Sequence, residues 1–205
     1  MKTIVLASGN RGKLAELGEM LATLELKIVA QGTLGVGDAE ETGLTFVENA
    51  LIKARHASRA TGLPALADDS GICVDALAGS PGLYSARYAG RHGDDAANNA
   101  RLLAELGDRP EALRGAYFYC CVVLLRHAED PSPLLAEGRW YGRVLRQPRG
   151  DGGFGYDPLF QPDGFAVSAA ELEPIEKNRL SHRGQAVASL MADLQRELLR
   201  THATP

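Results

Sequence analysis

The stretch that decides the fold is TIVLASGNRGK, from Thr3 to Lys13. It begins with the apolar run Thr3–Ala7, whose length and composition predict a buried strand. From Gly12 onward leucines recur with helical spacing, at Leu14, Leu17, Leu21 and Leu24. Residues 26–30 return to strand character. A strand, a helix and a second strand in this order predict an α/β sheet with a crossover connection.

The rest of the chain continues this mixture of helices and strands. Thr45 and Glu48 form a capping box that predicts a helix ending near Ala60. Apolar patterns and cap residues predict a strand over 63–67, a helix beginning at Asp94 or Asp95 and ending near Leu106, antiparallel strands over 116–126 and 134–144, and a helix from about 182 to 200 with Ser181 as its cap. No linker or repeat interrupts the chain, so residues 1–205 are predicted to form a single domain with a mixed sheet.

Composition narrows the function classes. The chain has 205 residues, of which 45% are apolar and 23% are charged, as is usual for a soluble domain with its own core. Its net charge of −4 argues against binding to nucleic acid or to an anionic membrane. The cysteines Cys73, Cys120 and Cys121 are odd in number and two are adjacent, which indicates reduced thiols. No apolar run reaches the length of a signal peptide or a membrane span, so we expect a cytoplasmic protein.

Two segments have the residues to bind phosphate and a metal ion. Ser8–Lys13 lies between the first strand and helix, where backbone N–H groups and a lysine form an anion site, although an ordinary turn explains it equally well. Asp68 and Asp69 follow a predicted strand and suit Mg²⁺, which prefers oxygen ligands, and a tight turn is the alternative. Glu40 or Glu41 provides a further carboxylate, unless both are simply solvated surface residues.

Three more features have a chemical and a structural interpretation. Lys53 interrupts an apolar helix face, either to bind phosphate or because its stem packs there while its ammonium reaches water. The loop over 150–155 fits G-x-G-x-x-G but lacks the strand and helix of a dinucleotide site, so Phe154 either stacks on a flat ligand or packs on the core. His182 and Arg183 stand in a predicted first helical turn, where a nearby anion would favour them.

The motifs SGNRGK, EETGLTFVENALIKA, ADDSG, FGYDPLF and SHRGQA, in this order, resemble the inosine/xanthosine triphosphate pyrophosphatase family. The resemblance extends from Lys2 to about Leu198. It implies an elongated α/β fold with two lobes, a central mixed β-sheet flanked by helices, and a substrate cleft between the lobes. It also implies a homodimer that uses Mg²⁺ to hydrolyse dITP, ITP or XTP to the monophosphate and pyrophosphate, cleansing the nucleotide pool.

The resemblance also assigns roles to individual residues. Asp69 would accept the proton. Apart from the resemblance, attack on the α-phosphorus needs its charge neutralised, a role for Lys13 and Lys53 together with Mg²⁺. Mg²⁺ would be held by Asp69, with Glu40 or Glu41 and with Asp68. The triphosphate would be bound by Ser8, Gly9, Asn10, Arg11, Gly12 and Lys13, with Ser70 beside the substrate. The base would be bound by Phe154, Gly155, Tyr156, Asp157, Lys177, His182 and Arg183.

Two other functions remain open from the sequence. A pyrophosphatase for modified pyrimidine or methylated nucleotides would use the same metal chemistry with a different base pocket. A nucleotide sensor that binds without hydrolysis is the second alternative, and the four carboxylates at 40, 41, 68 and 69 argue against it.

Overall fold

The N-terminal part of the chain folds as its apolar pattern predicts. The structure, a computed structural model, describes residues 3–22 and 27–202. Strand β1 (Thr3–Leu6), helix α1 (Arg11–Leu21) and strand β2 (Lys27–Ala30) occur in the expected order. Leu24 and Leu26, which we expected in α1 and β2, lie outside the described residues.

Cap residues explain where the next helices begin. The Thr45 hydroxyl accepts the Glu48 N–H at 3.2 Å at the start of helix α2 (Phe46–Thr61). The Asp94 carboxylate accepts the Ala97 N–H at 3.1 Å, so Asp94 and not Asp95 is the N-cap of the next helix. The remaining helices are α3 (Asp95–Leu106), α4 (Pro174–Leu180) and α5 (His182–His202). Helix α4 was not predicted, and it begins at a proline, which is tolerated in the first helical turn.

One six-stranded sheet contains all the strands named here. Besides β1 and β2 it has β3 (Ala65–Val74), β4 (Gly115–Leu125), β5 (Leu134–Val144) and β6 (Phe160–Pro162), in the order β2-β1-β3-β4-β5-β6. β1 is parallel to β2 and β3, and β6 is antiparallel to β5. The predicted α/β class with a mixed sheet is therefore confirmed, whereas the cleft between two lobes stays a prediction.

Strand β3 is longer than its apolar run suggested. We expected a strand over 63–67 that ends at the two aspartates, with a tight turn as one interpretation of Asp68–Gly71. The strand instead continues through Asp68 and Asp69 to Val74, because Ile72–Val74 form a second buried apolar run. The predicted end of the strand at residue 67 and the alternative of a turn were therefore wrong, and both aspartates lie on a regular strand.

The chain divides into two compact units, each with its own apolar core. Unit 1 comprises the described residues of segments 1–69, 120–138 and 183–205, and unit 2 comprises residues 70–119 and 139–182. In unit 1, Leu17 and Leu21 of α1 pack with apolar residues of β1, β4 and α5. This core includes Val122 of β4 and Leu190 of α5. In unit 2, α3 packs against aromatic residues, with a core that includes Leu102, Leu106, Phe118, Trp140 and Phe160. All three cysteines are buried free thiols, as expected.

Across the described residues, none of the helices combines the length and the apolarity that a membrane span requires.

Candidate functional site

The turn between β1 and α1 presents backbone N–H groups at the start of a helix. Asn10 caps α1 by accepting the Lys13 N–H at 3.1 Å, and the Ser8 hydroxyl accepts the Asn10 N–H at 3.2 Å. The first turn of α1 has no acidic residue to balance the positive end of the helix dipole. Ser8–Lys13 therefore forms an N-terminal turn suited to an anion, with the lysine close by.

Asp68 lies at the centre of a buried ion-pair network in unit 1. Its Oδ2 is 3.1 Å from Lys13 Nζ and 3.2 Å from Arg183 Nη2. Arg183 Nη1 also donates to the carboxylate of Glu16, which lies on α1 together with Lys13. Burial alone would raise the pKa of Asp68, but the charges of Lys13 and Arg183 outweigh it and hold this pKa well below its ordinary value. Asp68 is thus ionised at neutral pH and pairs with two cations.

Asp69 has a different partner, since successive side chains of a strand point to opposite faces. Lys53 Nζ donates to Asp69 Oδ1 at 2.6 Å and to Glu41 Oε1 at 2.8 Å. Burial raises the pKa of Asp69, and the ammonium of Lys53 only partly offsets this rise. Burial would lower the pKa of Lys53, but Asp69, Asp68 and Glu41 together raise it, so the ammonium stays charged. A carboxylate with a raised pKa is the better proton acceptor of the two aspartates.

The carboxylates around Lys53 fit the ligands of a magnesium ion. The described residues contain no group of three or more His, Cys, Asp or Glu side chains that could hold a metal ion by itself. Mg²⁺ usually needs only one or two carboxylates, because substrate phosphates and waters complete its coordination. Glu41 and Asp69, which converge on one ammonium, meet this requirement. Asp68 faces other cations, and Glu40 is exposed.

In unit 2 the glycine-rich loop is held by a buried ion pair. The Asp157 carboxylate accepts the Phe154 N–H at 2.9 Å and is 2.6 Å from Lys177 Nζ on α4. The same ammonium lies 5.0 Å from the centroid of the Phe154 ring, a cation–π contact. A side chain at Gly153 would clash with the Asp157 carboxylate, so the close approach requires glycine. Two contacts thereby orient the half-buried ring of Phe154: the cation–π contact with Lys177 and the hydrogen bond from its own N–H to Asp157.

Two aromatic residues of unit 2 have core contacts as well as a predicted role in base binding. Tyr156 is buried, its hydroxyl donates to the Ser85 carbonyl at 2.9 Å, and burial raises its pKa. The His182 ring stacks on Phe118 with centroids 4.7 Å apart.

Ser70, which was predicted to lie beside the substrate, directly follows Asp69 on β3 and is half-buried.

The predicted site residues fall into two groups. The phosphate and metal candidates of unit 1 are Ser8–Lys13, Glu41, Lys53, Asp68 and Asp69, and the base candidates of unit 2 are Phe154, Gly155, Tyr156, Asp157, Lys177 and His182. Arg183, predicted to bind the base, lies with Asp68 in unit 1. The sequence analysis missed Glu16, although it stands three residues after Lys13 on one helix, a spacing that brings side chains together.

Comparison with known proteins finds relatives over nearly the whole chain. The model of the Ham1 family matches residues 4–193. A protein of Xanthomonas axonopodis pv. citri named dITP/XTP pyrophosphatase is 63% identical, covering 95% of this chain and 98% of its own length. A HAM1 protein structure from Coxiella burnetii has a TM-score of 0.87 and 50% identity, covering 96% of this chain and 100% of its own. A nucleoside-triphosphatase / dITP/XTP pyrophosphatase from Mycobacterium abscessus has a TM-score of 0.73 and 49% identity, covering 92% and 98%. These findings confirm the resemblance that the five motifs predicted.

Proposed function

Because the chain belongs to the Ham1 family, we propose that it hydrolyses the non-standard purine nucleoside triphosphates dITP, ITP and XTP to the monophosphate and pyrophosphate. The names of its relatives support this substrate class. The structural observation that carries the proposal is the position of Lys53, whose ammonium joins the carboxylates of Asp69 and Glu41. This arrangement brings a charged lysine, a basic carboxylate and a second oxygen ligand together.

The triphosphate is bound in this proposal by the turn of Ser8–Lys13. Backbone N–H groups at the start of α1 face the phosphate oxygens, and Lys13 neutralises part of their charge. Asp68 and Arg183 orient Lys13 through the ion-pair network and do not themselves take part in the reaction.

The reaction is attack of water on the α-phosphorus. Asp69 accepts a proton from the water, the new P–O bond forms, and the bond between the α- and β-phosphates breaks. The electron pair of that bond leaves with pyrophosphate, and Lys53 stabilises the negative charge that develops on the phosphate oxygens. Mg²⁺ held by Glu41 and Asp69 supplies further charge neutralisation when it is bound.

Selection of the base is assigned to unit 2. Phe154 offers a ring face for stacking on a purine, and Lys177 and His182 supply donors for the oxygen at position 6. Adenine has an amino group there, so these donors would lose their acceptor and ATP would bind poorly. The proposed physiological role, removal of faulty nucleotides from the pool, and the proposed homodimer both follow from the resemblance.

Product analysis tests the proposal. The chain is incubated with Mg²⁺ and equal concentrations of dITP, XTP, GTP and ATP, and phosphate products are separated by ion-exchange chromatography. We expect pyrophosphate and monophosphate from dITP and XTP, with ATP largely spared, and no reaction when EDTA is present; the rate with GTP, which shares the oxygen at position 6, measures whether the site also excludes a 2-amino group. An identically purified Asp69→Asn variant controls for contaminating enzymes. Release of orthophosphate, or no turnover of any purine, would contradict the proposal and favour a modified-pyrimidine substrate.

A further inference from the structure

Two polar side chains of α3 hold one residue of the glycine-rich loop. Gly155 N–H donates to Asp95 Oδ2 at 2.7 Å, and Asn99 Nδ2 donates to the Gly155 carbonyl at 2.9 Å. Asp95 and Asn99 are four residues apart on the helix, so they lie on one face. Gly155 has a φ of 63°, in the left-handed region. The two bonds fix the peptide groups on both sides of its Cα, and therefore its backbone conformation.

Core packing and side-chain hydrogen bonds hold helix α3, which carries Asp95 and Asn99, in place. Leu102 and Leu106 anchor it in the core of unit 2. The Asn98 side chain accepts the Ala89 N–H at 2.7 Å and donates to the Ala86 carbonyl at 3.3 Å. Asp95 stands in the first helical turn, where the helix dipole stabilises a carboxylate. Asp95 is exposed and Asn99 is half-buried, so burial in the core does not account for the paired bonds to Gly155.

The position of Gly155 determines the position of Phe154. Phe154 is its immediate neighbour, and Asp95 accepts from the very peptide group that joins the two residues. On its other side the Phe154 N–H is bonded to Asp157. The aromatic ring is thus located by two backbone bonds, one to a loop carboxylate and one to a helix carboxylate.

We propose that Asp95 and Asn99 are positioning residues that hold Phe154 ready for the purine base, and so set the affinity for the base without contacting it. This inference rests on the proposed function, because it assumes that Phe154 stacks on the substrate. Preorganisation of the loop lowers the entropy that is lost on binding, so release of the loop weakens substrate binding more than it slows the reaction.

The test is the steady-state kinetics of Asp95→Ala and Asn99→Ala with XTP and dITP. Loss of either bond should raise KM about tenfold and change kcat by less than about twofold. Asp95→Asn keeps an oxygen acceptor and should restore most of the affinity. The two alanine variants remove independent bonds, so either one that folds is sufficient for the test.

Asp94→Ala is the matched control. It removes the N-cap of the same helix and has no bond to Gly155, so KM should stay within about twofold of the wild-type value. The inference is overturned if Asp94→Ala raises KM as much as Asp95→Ala, if KM is unchanged in both alanine variants, or if only kcat falls.

Calorimetry with inosine monophosphate separates this inference from the proposed function. If the wild-type chain hydrolyses neither triphosphate, the proposed function fails. About tenfold weaker binding of the monophosphate to the alanine variants would still support the positioning role, and equal binding would contradict it.

Discussion

In unit 1 the carboxylates and cations meet on a regular strand, whereas in unit 2 they meet on a glycine-rich loop. Asp68 and Asp69 belong to β3, which is hydrogen-bonded between β1 and β4. Asp157 stands at the end of a loop whose shape depends on Gly153, on Gly155 and on two side chains of α3. Strand geometry fixes the positions of the two aspartates of unit 1. The loop in unit 2 needs supporting contacts, so changes outside the ion pair affect it more.

The two adjacent aspartates of unit 1 differ as much as the two units do. The charges of Lys13, Arg183 and Lys53 lower the pKa of Asp68, whereas burial raises the pKa of Asp69 by more than Lys53 and Lys13 lower it. We therefore expect Asp68 to contribute to stability and Asp69 to reactivity. The first two predictions below test this division of roles, and the next two test the metal ligand of unit 1 and the ion pair of unit 2.

Asp68→Asn should have the largest effect, on stability. It leaves the buried charges of Arg183 and Lys13 without a carboxylate between them, so the free energy of unfolding should fall by about 3 kcal/mol at pH 7 in urea denaturation. The lowered pKa of Asp68 means that its contribution is present above the ordinary carboxyl pKa and is lost as the pH falls through the lowered value. The difference between variant and wild type should therefore shrink in acid.

The control for this experiment is Asp193→Asn. Asp193 pairs with the exposed Arg196, and an exposed pair is worth less than about 1 kcal/mol. A cost for Asp68→Asn as small as that of the control, or one that does not depend on pH, would contradict the assigned role.

Asp69→Asn should act on turnover instead. We expect kcat for XTP to fall at least about 100-fold, because the amide cannot accept the proton of the attacking water. The free energy of unfolding should stay within about 1 kcal/mol of the wild-type value, since the amide is not charged and is less costly to bury. Pyrophosphate release at saturating substrate measures the rate. Near-normal turnover would exclude Asp69 as the proton acceptor.

Glu41→Gln and Glu40→Gln form a matched pair that tests the metal ligand. Of the two glutamates, Glu41 contacts the Lys53 ammonium that also binds Asp69. Loss of the Glu41 carboxylate should therefore raise the Mg²⁺ concentration for half-maximal activity about tenfold. Glu40 is exposed, and its variant should behave as wild type. Titration of both variants with Mg²⁺ measures this concentration. A larger increase for Glu40→Gln than for Glu41→Gln would assign the metal ligand to Glu40.

Lys177→Met should have the smallest effect on the kinetics, although it also lowers the free energy of unfolding because the buried carboxylate of Asp157 loses its cation. The variant removes the cation beside Phe154 and Asp157, so KM for XTP should rise about fivefold while kcat changes little. Arg179→Met, on the exposed side of the same helix, is the control and should leave KM unchanged. A fall in kcat with an unchanged KM would instead place Lys177 with the reacting groups.

The elements with a strong apolar pattern were predictable from the sequence. β1, α1, α2 and α3 have regular apolar spacing, cap residues or both, which are local signals. The full length of β3 was not predicted, because two adjacent aspartates followed by Ser and Gly are typical of a turn. The apolar residues beyond them decide the structure.

The candidate site was less predictable than the fold. The resemblance predicted Asp69 and the interrupted helix face predicted Lys53, and these two side chains lie together. Base binding by Arg183 stays a prediction, and its side chain also meets Asp68, which is 115 positions away in the chain. Asp95 and Asn99 were missed because their partners are backbone atoms of a distant loop. Local spacing cannot reveal such contacts, since folding brings the partners together.

The position of the two aspartates on a strand has an evolutionary consequence. Successive side chains of a strand point to opposite faces of the sheet, so Asp68 and Asp69 face different partners. Which of the two carboxylates faces Lys53 depends on whether its position along the strand is odd or even. An insertion or deletion of one residue immediately before Asp68, with the start of the strand held in register, would exchange their faces. Substitutions elsewhere on β3 leave this parity unchanged. Changes in chain length within this strand are therefore expected to be selected against more strongly than changes of side chain.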